Sequence, residues 1–402
     1  MIHSISCKNF YSFAGETSLD FKVNSKAPEN NGYVMTRSGV RLSKIETVIG
    51  PNASGKTNLL KVLPFLKWLI IDSFNMKPDH PIIVQPFAFG DKQDEPTEMS
   101  VVFEVDGKVY TYTFIISKER ILSEELKLTS FAKEKKSTKK IFSRNWNDEA
   151  GRYDFWGGNF DLPKGFENLL RSNASVIGTA VRLNHVESRS IAKYWGQIET
   201  NVIEAGWVGD HFLPNSTVQL GETFNFFSEN KALKQTAEKL LSRFDLGLSG
   251  FEIKKEKKEN SFSLNVRTSH LFNGQTLYLP VKYESSGTKQ LFVLLKSILV
   301  ALERGSIAVV DELDVNLHPE MVVALFDLFM QPETNPKNAQ LLLSIHSHML
   351  LNKLDKYQIV LVEKNENGIS EAWRLDEVSD VRSDDNYYSK YIAGAYGAVP
   401  RL

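Results

Sequence analysis

Residues 50–57 read Gly50-Pro51-Asn52-Ala53-Ser54-Gly55-Lys56-Thr57. Two glycines bracket four residues and are followed by lysine and threonine, which is the spacing of a Walker A phosphate-binding loop. The flanks agree with that reading. Ile45-Glu46-Thr47-Val48-Ile49 is a short β-rich run leading in, and Asn58-Leu59-Leu60-Lys61-Val62-Leu63 is a helical run leading out. In such a strand–loop–helix unit, successive backbone N–H groups and the helix N-terminus face the β- and γ-phosphates. Gly50, Asn52, Ala53, Ser54, Gly55, Lys56, Thr57 and Asn58 are therefore the candidate nucleotide-binding residues. Lys56 contributes a point charge, and Thr57 offers a hydroxyl to Mg²⁺.

Reading outward, the 402-residue chain is long enough for two domains or for one domain with a large insertion. Its 42% hydrophobic and 24% charged content are those of a soluble globular protein. A formal net charge of −1 argues against a protein that holds nucleic acid through bulk positive charge. The single cysteine, Cys7, excludes an internal disulfide and a cysteine metal cluster. The start Met-Ile-His-Ser-Ile-Ser lacks the basic region and apolar core of a signal peptide. The most apolar stretches, 62–71 and 291–302, each carry a lysine and are too short to span a bilayer. The chain is expected to be cytoplasmic, with no membrane partner.

Residues 1–22 alternate like strands, anchored by Ile2, Ile5, Phe10 and Phe13, and 23–44 are polar and loop-like. Pro64 is expected to kink or end the helix that follows the phosphate loop. Residues 99–105 and 108–116 alternate apolar with polar around Asp106-Gly107, the turn pair of a type I′ hairpin. From about 121 to 279 the pattern breaks at glycines and prolines. Residues 166–247 read as mostly helical, and 249–283 as strands, with the alternation clearest in Phe262-Ser263-Leu264-Asn265-Val266. The block is read as an insertion, largely helical, between an N-terminal part of an ATPase core (1–120) and a C-terminal part (280–402). Two lysine runs lie inside it: Lys133, Lys135, Lys136, Lys139 and Lys140, and Lys254, Lys255, Lys257 and Lys258. Such runs are ordinary on exposed loops and hairpin tips, with a nucleic-acid or partner patch as the alternative.

A second half of the site follows. Residues 306–310, Ser-Ile-Ala-Val-Val, form a buried β-run that delivers Asp311 and Glu312 to its end, a Walker B arrangement. Ligands bind at that edge of parallel sheets. Asp311 is expected to hold the Mg²⁺ shell, and Glu312 to act as general base toward the attacking water. Upstream, 289–303 is apolar almost all round, as in a buried helix. Glu284-Ser285-Ser286-Gly287-Thr288 stands at its start. Small residues there make a second anion site or a serine N-cap, or both. Residues 340–343 form another buried strand, leading to Ser344-Ile345-His346-Ser347-His348, where His346 sits within reach of a γ-phosphate.

Together these residues resemble the heads of ABC-type ATPases: an α/β P-loop NTPase with a mixed central sheet flanked by helices. The start Lys8-Asn9-Phe10-Tyr11-Ser12-Phe13 and the ending at 391–400 are similar to stand-alone ATPases related to OLD and SMC/RecF heads. The overall pattern and size most resemble the ATPase subunits of PARIS anti-phage systems. The resemblance covers roughly 1–120 and 280–402. It implies ATP and Mg²⁺ as cofactors and association of the heads as a homodimer or higher homo-oligomer. Ser285, Ser286 and Gly287 of one copy would contact the γ-phosphate held by another, and His346 would sense it. Asn316-Leu317-His318-Pro319 resembles a D-loop, and Gln85, about thirty residues past the phosphate loop, resembles a Q-loop metal ligand. Glu-Ser-Ser-Gly-Thr in place of Leu-Ser-Gly-Gly-Gln disfavours a transporter subunit. OLD enzymes append a Toprim nuclease. Only about fifty residues follow His346, against roughly a hundred for a small domain. The resemblance thus implies a separate Toprim-like nuclease, held until a phage protein triggers its release. The competing expectation is a DNA-repair or chromosome-associated SMC/RecF-like ATPase using the lysine runs to bind DNA.

Overall fold

The computed structural model describes residues 1–78, 80–132, 135–202, 216–244, 247–258, 261–315 and 317–400, without the side chains of 132, 135–136, 216–218, 256–258 and 261–263. Lys133, Asn316 and the lysine side chains at 135, 136, 257 and 258 therefore lie outside the described parts.

The phosphate-loop strand Ile45–Ile49 is buried at every position, as strands covered on both faces are. It sits inside a six-stranded sheet in the order Glu199–Thr200, Ile307–Val310, Gln340–Ser344, Ile45–Ile49, Ile359–Lys364 and Ser370–Arg374. The first five run parallel and the last is antiparallel. Side chains alternate across such a sheet, and the alternation divides the core. Val48, Val309 and Leu342 face one apolar cluster, while Ile45, Ile49, Ala308, Val310, Leu341 and Leu343 face the other.

The first cluster is closed by a seven-stranded antiparallel sheet containing Ile2–Lys8, Thr17–Asp20, Thr97–Val105, Lys108–Ile116, Ile121–Ala132, Lys135–Asn147 and Arg152–Trp156. Leu59, Leu60, Leu63, Phe65 and Leu66 from the helical segment after the phosphate loop fill the space between the sheets. Asp106 and Gly107 both take positive φ, 52° and 78°, as the type I′ turn requires. Gln340 stitches the two sheets: its Oε1 accepts from Ile2 N at 2.7 Å, and its Nε2 donates to Ile2 O at 2.9 Å. The second cluster is covered by helices Ser286–Arg304, Pro319–Met330 and Lys231–Arg243.

Two local expectations are refined. Pro64 does not end its helix. The chain is helical over Lys56–Leu60, breaks at Lys61, and continues as Val62–Lys67 and a π-helical turn, Trp68–Asp72. Pro64 has no N–H to give the Leu60 carbonyl, so the ladder lapses one turn before it. The stretch 121–279 carries helices, but it is not largely helical. Its first strands continue the antiparallel meander, with Lys108–Ile116 paired to Ile121–Ala132. Glu199–Thr200 joins the central sheet, and Leu248–Lys258, Ser261–Phe272 and Gln275–Pro280 make a further three-stranded sheet. The half-buried alternation of Ile-Leu-Ser-Glu-Glu-Leu-Lys-Leu-Thr at 121–129 carries the period of a strand.

Candidate nucleotide site

The parallel strands all end on one edge, and Asn201, Asp311, Ser344, Gly50 and Lys364 follow one another along it. The loop at 50–57 curls over that edge under tight packing. A Cβ at Gly50 would lie 2.0 Å from the Val362 carbonyl oxygen, and one at Gly55 would lie 2.4 Å from Ser370 Oγ, with φ already at +118°. Only glycine fits either place. Ala53 also takes a positive φ, 61°.

Lys56 begins the helix and is buried. Its Nζ donates back to the Gly50 and Pro51 carbonyls at 2.9 and 3.0 Å, so the ammonium lies inside the loop. Burial pushes its pKa down, against the pull of Asp311, Glu312 and Asp314. Two residues outside the motif brace the loop. Asn58 Nδ2 donates to Ser12 Oγ at 2.9 Å, and Ser370 Oγ bonds Ser12 Oγ at 2.8 Å and the Ser54 carbonyl at 2.5 Å.

Asp311 is the hub of the carboxylate side. Thr57 Oγ1 donates to its Oδ2 at 2.7 Å, and Ser344 Oγ donates to its Oδ1 at 2.5 Å. Asn201 clamps its backbone, accepting from Asp311 N at 2.7 Å and donating to Asp311 O at 3.0 Å. Glu312 follows with φ 52°, a left-handed conformation that disfavours a residue with a side chain. It is held there through its N–H, which donates to the same Ser344 Oγ at 2.8 Å. Its carboxylate is 54% exposed, and Oε1 lies 3.4 Å from His346 Nε2. Asp314 ties the two loops together, its carboxylate accepting from His346 N at 2.9 Å and from Ser347 N at 2.5 Å.

A cavity of about 680 Å³ is lined by Asn52, Ala53, Ser54, Gly55, Lys56, Thr57, Asn58, Asp311, Glu312, His346 and Lys364. Four segments separated in sequence, 52–58, 311–312, 346 and 364, thus meet around one volume. Ser285 is the N-cap of helix Ser286–Arg304, its Oγ accepting from Thr288 N at 3.0 Å. Ser286 and Gly287 line a neighbouring groove of about 480 Å³ that also touches Thr57, Asn201, Asp311 and Glu312. Gln85 lines neither volume; its side chain is exposed, and its carbonyl accepts from Tyr11 N at 2.8 Å. Asn201, Ser344, Ser12, Ser370 and Lys364 were not singled out by sequence reasoning. They belong to no spaced motif and reach the site through strand order alone.

The donors fit a Mg²⁺-bound polyphosphate. Thr57 and Asp311 present oxygens side by side, the ligand type that Mg²⁺ takes, and the buried Ser54 Oγ has no hydrogen-bond partner among the described residues. Residues 47–352 match the family described as "AAA domain, putative AbiEii toxin, Type IV TA system". The chain belongs to this family. The family's span begins in the phosphate-loop strand and closes just past His346, so it takes in every motif of the site, while Ser12 and Ser370 beside Gly55, and Lys364, lie outside it. Its fold is accordingly that of a P-loop ATPase domain, in agreement with the sheet order above. Solved structures with a similar course include an Smc head bound to the C-winged helix domain of ScpA (13% identity, 94% of this chain and 99% of that chain, TM-score 0.47). The SMC head domain from Thermotoga maritima is 14% identical over 93% of this chain and 98% of that chain, with a TM-score of 0.42. An Smc head with an extended coiled coil, bound to the C-terminal domain of ScpA derived from Pyrococcus furiosus, is 13% identical over 94% and 97%, with a TM-score of 0.43. No curated protein matches the chain.

Proposed function

We propose that the protein binds and hydrolyses ATP with Mg²⁺, and that it serves as the sensor or scaffold of an anti-phage defence complex whose nuclease or toxin is a separate chain. The observation carrying the enzymatic half is the continuous chain Thr57–Asp311–Ser344–Glu312–His346. It sets a metal-type oxygen pair, an exposed carboxylate and a histidine around one cavity beside the phosphate loop. In this reading the loop N–H groups and Lys56 hold the phosphates, and Thr57 and Asp311 hold Mg²⁺, which neutralises charge on the phosphates when bound. Glu312 takes the proton of the attacking water. His346 hydrogen-bonds the terminal phosphate. Ser286 and Gly287 receive a phosphate from a second copy, so that self-association completes the site. Gln85, which does not line the cavity, has no part in this reading.

The defence half is supported by the likeness to PARIS ATPase subunits and by the toxin–antitoxin description of the family. Phosphate release decides the first half. Glu312→Gln is expected to slow turnover by roughly 10²–10⁴-fold, the usual worth of a positioned general base, while Mg²⁺-nucleotide binding persists. Equal rates would refute the base assignment. Phage plating on cells carrying the gene in its native operon, with and without Lys56→Ala, decides the second. Equal plating would refute it.

A second reading, a DNA-associated ATPase, is favoured by one surface. Exposed Lys139 and Lys140 lie on strand Lys135–Asn147, and the Lys140 ammonium is 5.1 Å from the ring of exposed Trp156. It predicts ATP-dependent, salt-sensitive binding to duplex DNA that Lys139→Glu with Lys140→Glu abolishes.

A further inference from the structure

The hairpin just before the Ser285 helix start is built unlike the rest of the surface. Ser261–Phe272 pairs with Gln275–Pro280, and among the described residues Gln275–Pro280 has no strand on its other side. Leu271, Phe272, Leu277, Tyr278, Leu279 and Tyr283 are each 36–68% exposed. Register places Phe272, Leu277 and Leu279 on one face and Leu271 and Tyr278 on the other. With apolar side chains on both faces, the hairpin tip does not lie on this chain's own core. From Leu271 through Val281 no residue carries a charge. Exposed edge strands are normally protected by lysine, proline or a bulge; here Pro280 alone, at the strand's end, serves that role. The base of the hairpin is anchored, with His270 Nε2 2.7 Å from Glu284 Oε1.

We propose that two copies of this chain pair through Gln275–Pro280, antiparallel about a two-fold axis, joining their three-stranded sheets into one of six strands. Three features select a second copy as the occupant. An edge strand offers the donors and acceptors that its own antiparallel copy needs, which is the isologous arrangement of homodimers. The uncharged run sets no like charges opposite one another, the usual penalty when identical strands meet. The strand itself offers a different protein partner no charge to recognise; Glu252 against Tyr278 and Lys282 over the Tyr283 ring stand at its margins. The area is of the order required. The six side chains expose on the order of 600 Å², and with the strand's main chain this approaches the roughly 800 Å² that each partner gives to a stable interface. This pairing needs no nucleotide, so it is distinct from the ATP-dependent contact proposed above.

The test is sedimentation velocity of the full chain without nucleotide over the micromolar range. A dimer is expected, and Phe272→Glu with Leu277→Glu is expected to weaken it about a hundredfold, as charges in an apolar interface centre do. Both sites are exposed, and thermal unfolding checks that the variant is folded. Independently, Leu277→Cys is expected to give a disulfide-linked dimer on mild oxidation, since the native Cys7 is buried. A monomer at every concentration, a dimer unchanged by the two glutamates, or no cross-linked product would overturn the proposal. ATP-dependent association in the Glu312→Gln background is read separately and bears only on the signature contact.

Discussion

Ser344→Ala is the change that most sharply tests how the carboxylate pair is organised. The Ser344 hydroxyl has two bonds and no exposure: it donates to Asp311 Oδ1 at 2.5 Å and accepts from Glu312 N at 2.8 Å. The first bond runs to a charged acceptor and contributes about 1.5–3 kcal/mol, and the second contributes about 1 kcal/mol. Removing both frees Asp311 to rotate about its contact with Thr57. It also removes the acceptor of the Glu312 N–H, the bond that keeps Glu312 at its left-handed φ of 52°. Relaxing that backbone swings the carboxylate away from His346. If about 2–3 kcal/mol of this is felt only when the water is activated, kcat falls roughly 30- to 150-fold. The nucleotide dissociation constant should move less than about fivefold, because the loop N–H groups and Lys56 are untouched. The assay is steady-state phosphate release with Mg²⁺ varied, beside fluorescence titration with a labelled nucleotide and a thermal melt. Loss of kcat with a raised Mg²⁺ requirement is the expected result. An unchanged kcat in a folded variant would refute the view that Ser344 orients both carboxylates.

Gly50→Ala would set a Cβ 2.0 Å from the Val362 carbonyl oxygen; the strand must shift, and nucleotide binding is expected to be lost, as a titration would show. The fully buried pair Arg144–Glu124, 2.6 Å apart, anchors the antiparallel sheet to the segment at 171–176 through bonds to Arg171 O, Ala174 O and Val176 N. Arg144→Leu leaves a buried carboxylate unpaired and should cost about 3–5 kcal/mol in a denaturant titration, part of it recovered by adding Glu124→Leu. Burial alone would raise the Glu104 pKa, but His3, Ser38 and Thr36 outweigh it and hold the carboxyl at about 2, below its ordinary 4.5. The unfolded chain therefore binds the extra proton between those values. The stability Glu104 contributes is complete above about 4.5 and is lost as pH falls toward 2. Glu104→Gln should flatten that part of the unfolding profile, and an unflattened profile would remove Glu104 from the account.

How far the site could be read from residues alone depended on how local its chemistry is. A phosphate loop is one strand, one turn and one helix, so its glycines, Lys56 and Thr57 are legible from spacing. The apolar run ending in Asp311-Glu312 and the run ending at His346 are legible for the same reason, and parallel sheets bring such ends to one edge. Ser285 was legible as an anion site or a cap, and in this structure it is a cap. The insertion was harder. Glycines and prolines in 151–165 mask the two-residue period of the strands before them, and whether a strand joins a neighbouring sheet is decided by long-range pairing.

What the sequence by itself determined was the phosphate-loop motif and the candidate carboxylates, because backbone N–H geometry and carboxylate chemistry follow from a few adjacent residues. Only the tertiary structure decided which strand lies beside which. That order put Asn201 on the Asp311 backbone, Ser344 between the two carboxylates, and Ser12 with Ser370 beneath the loop. It also left Gln275–Pro280 as an open edge. Hydrogen bonds across 33 to 358 positions of chain leave no trace in local spacing. They exist because burying the alternating apolar faces of two sheets allows that one stacking order.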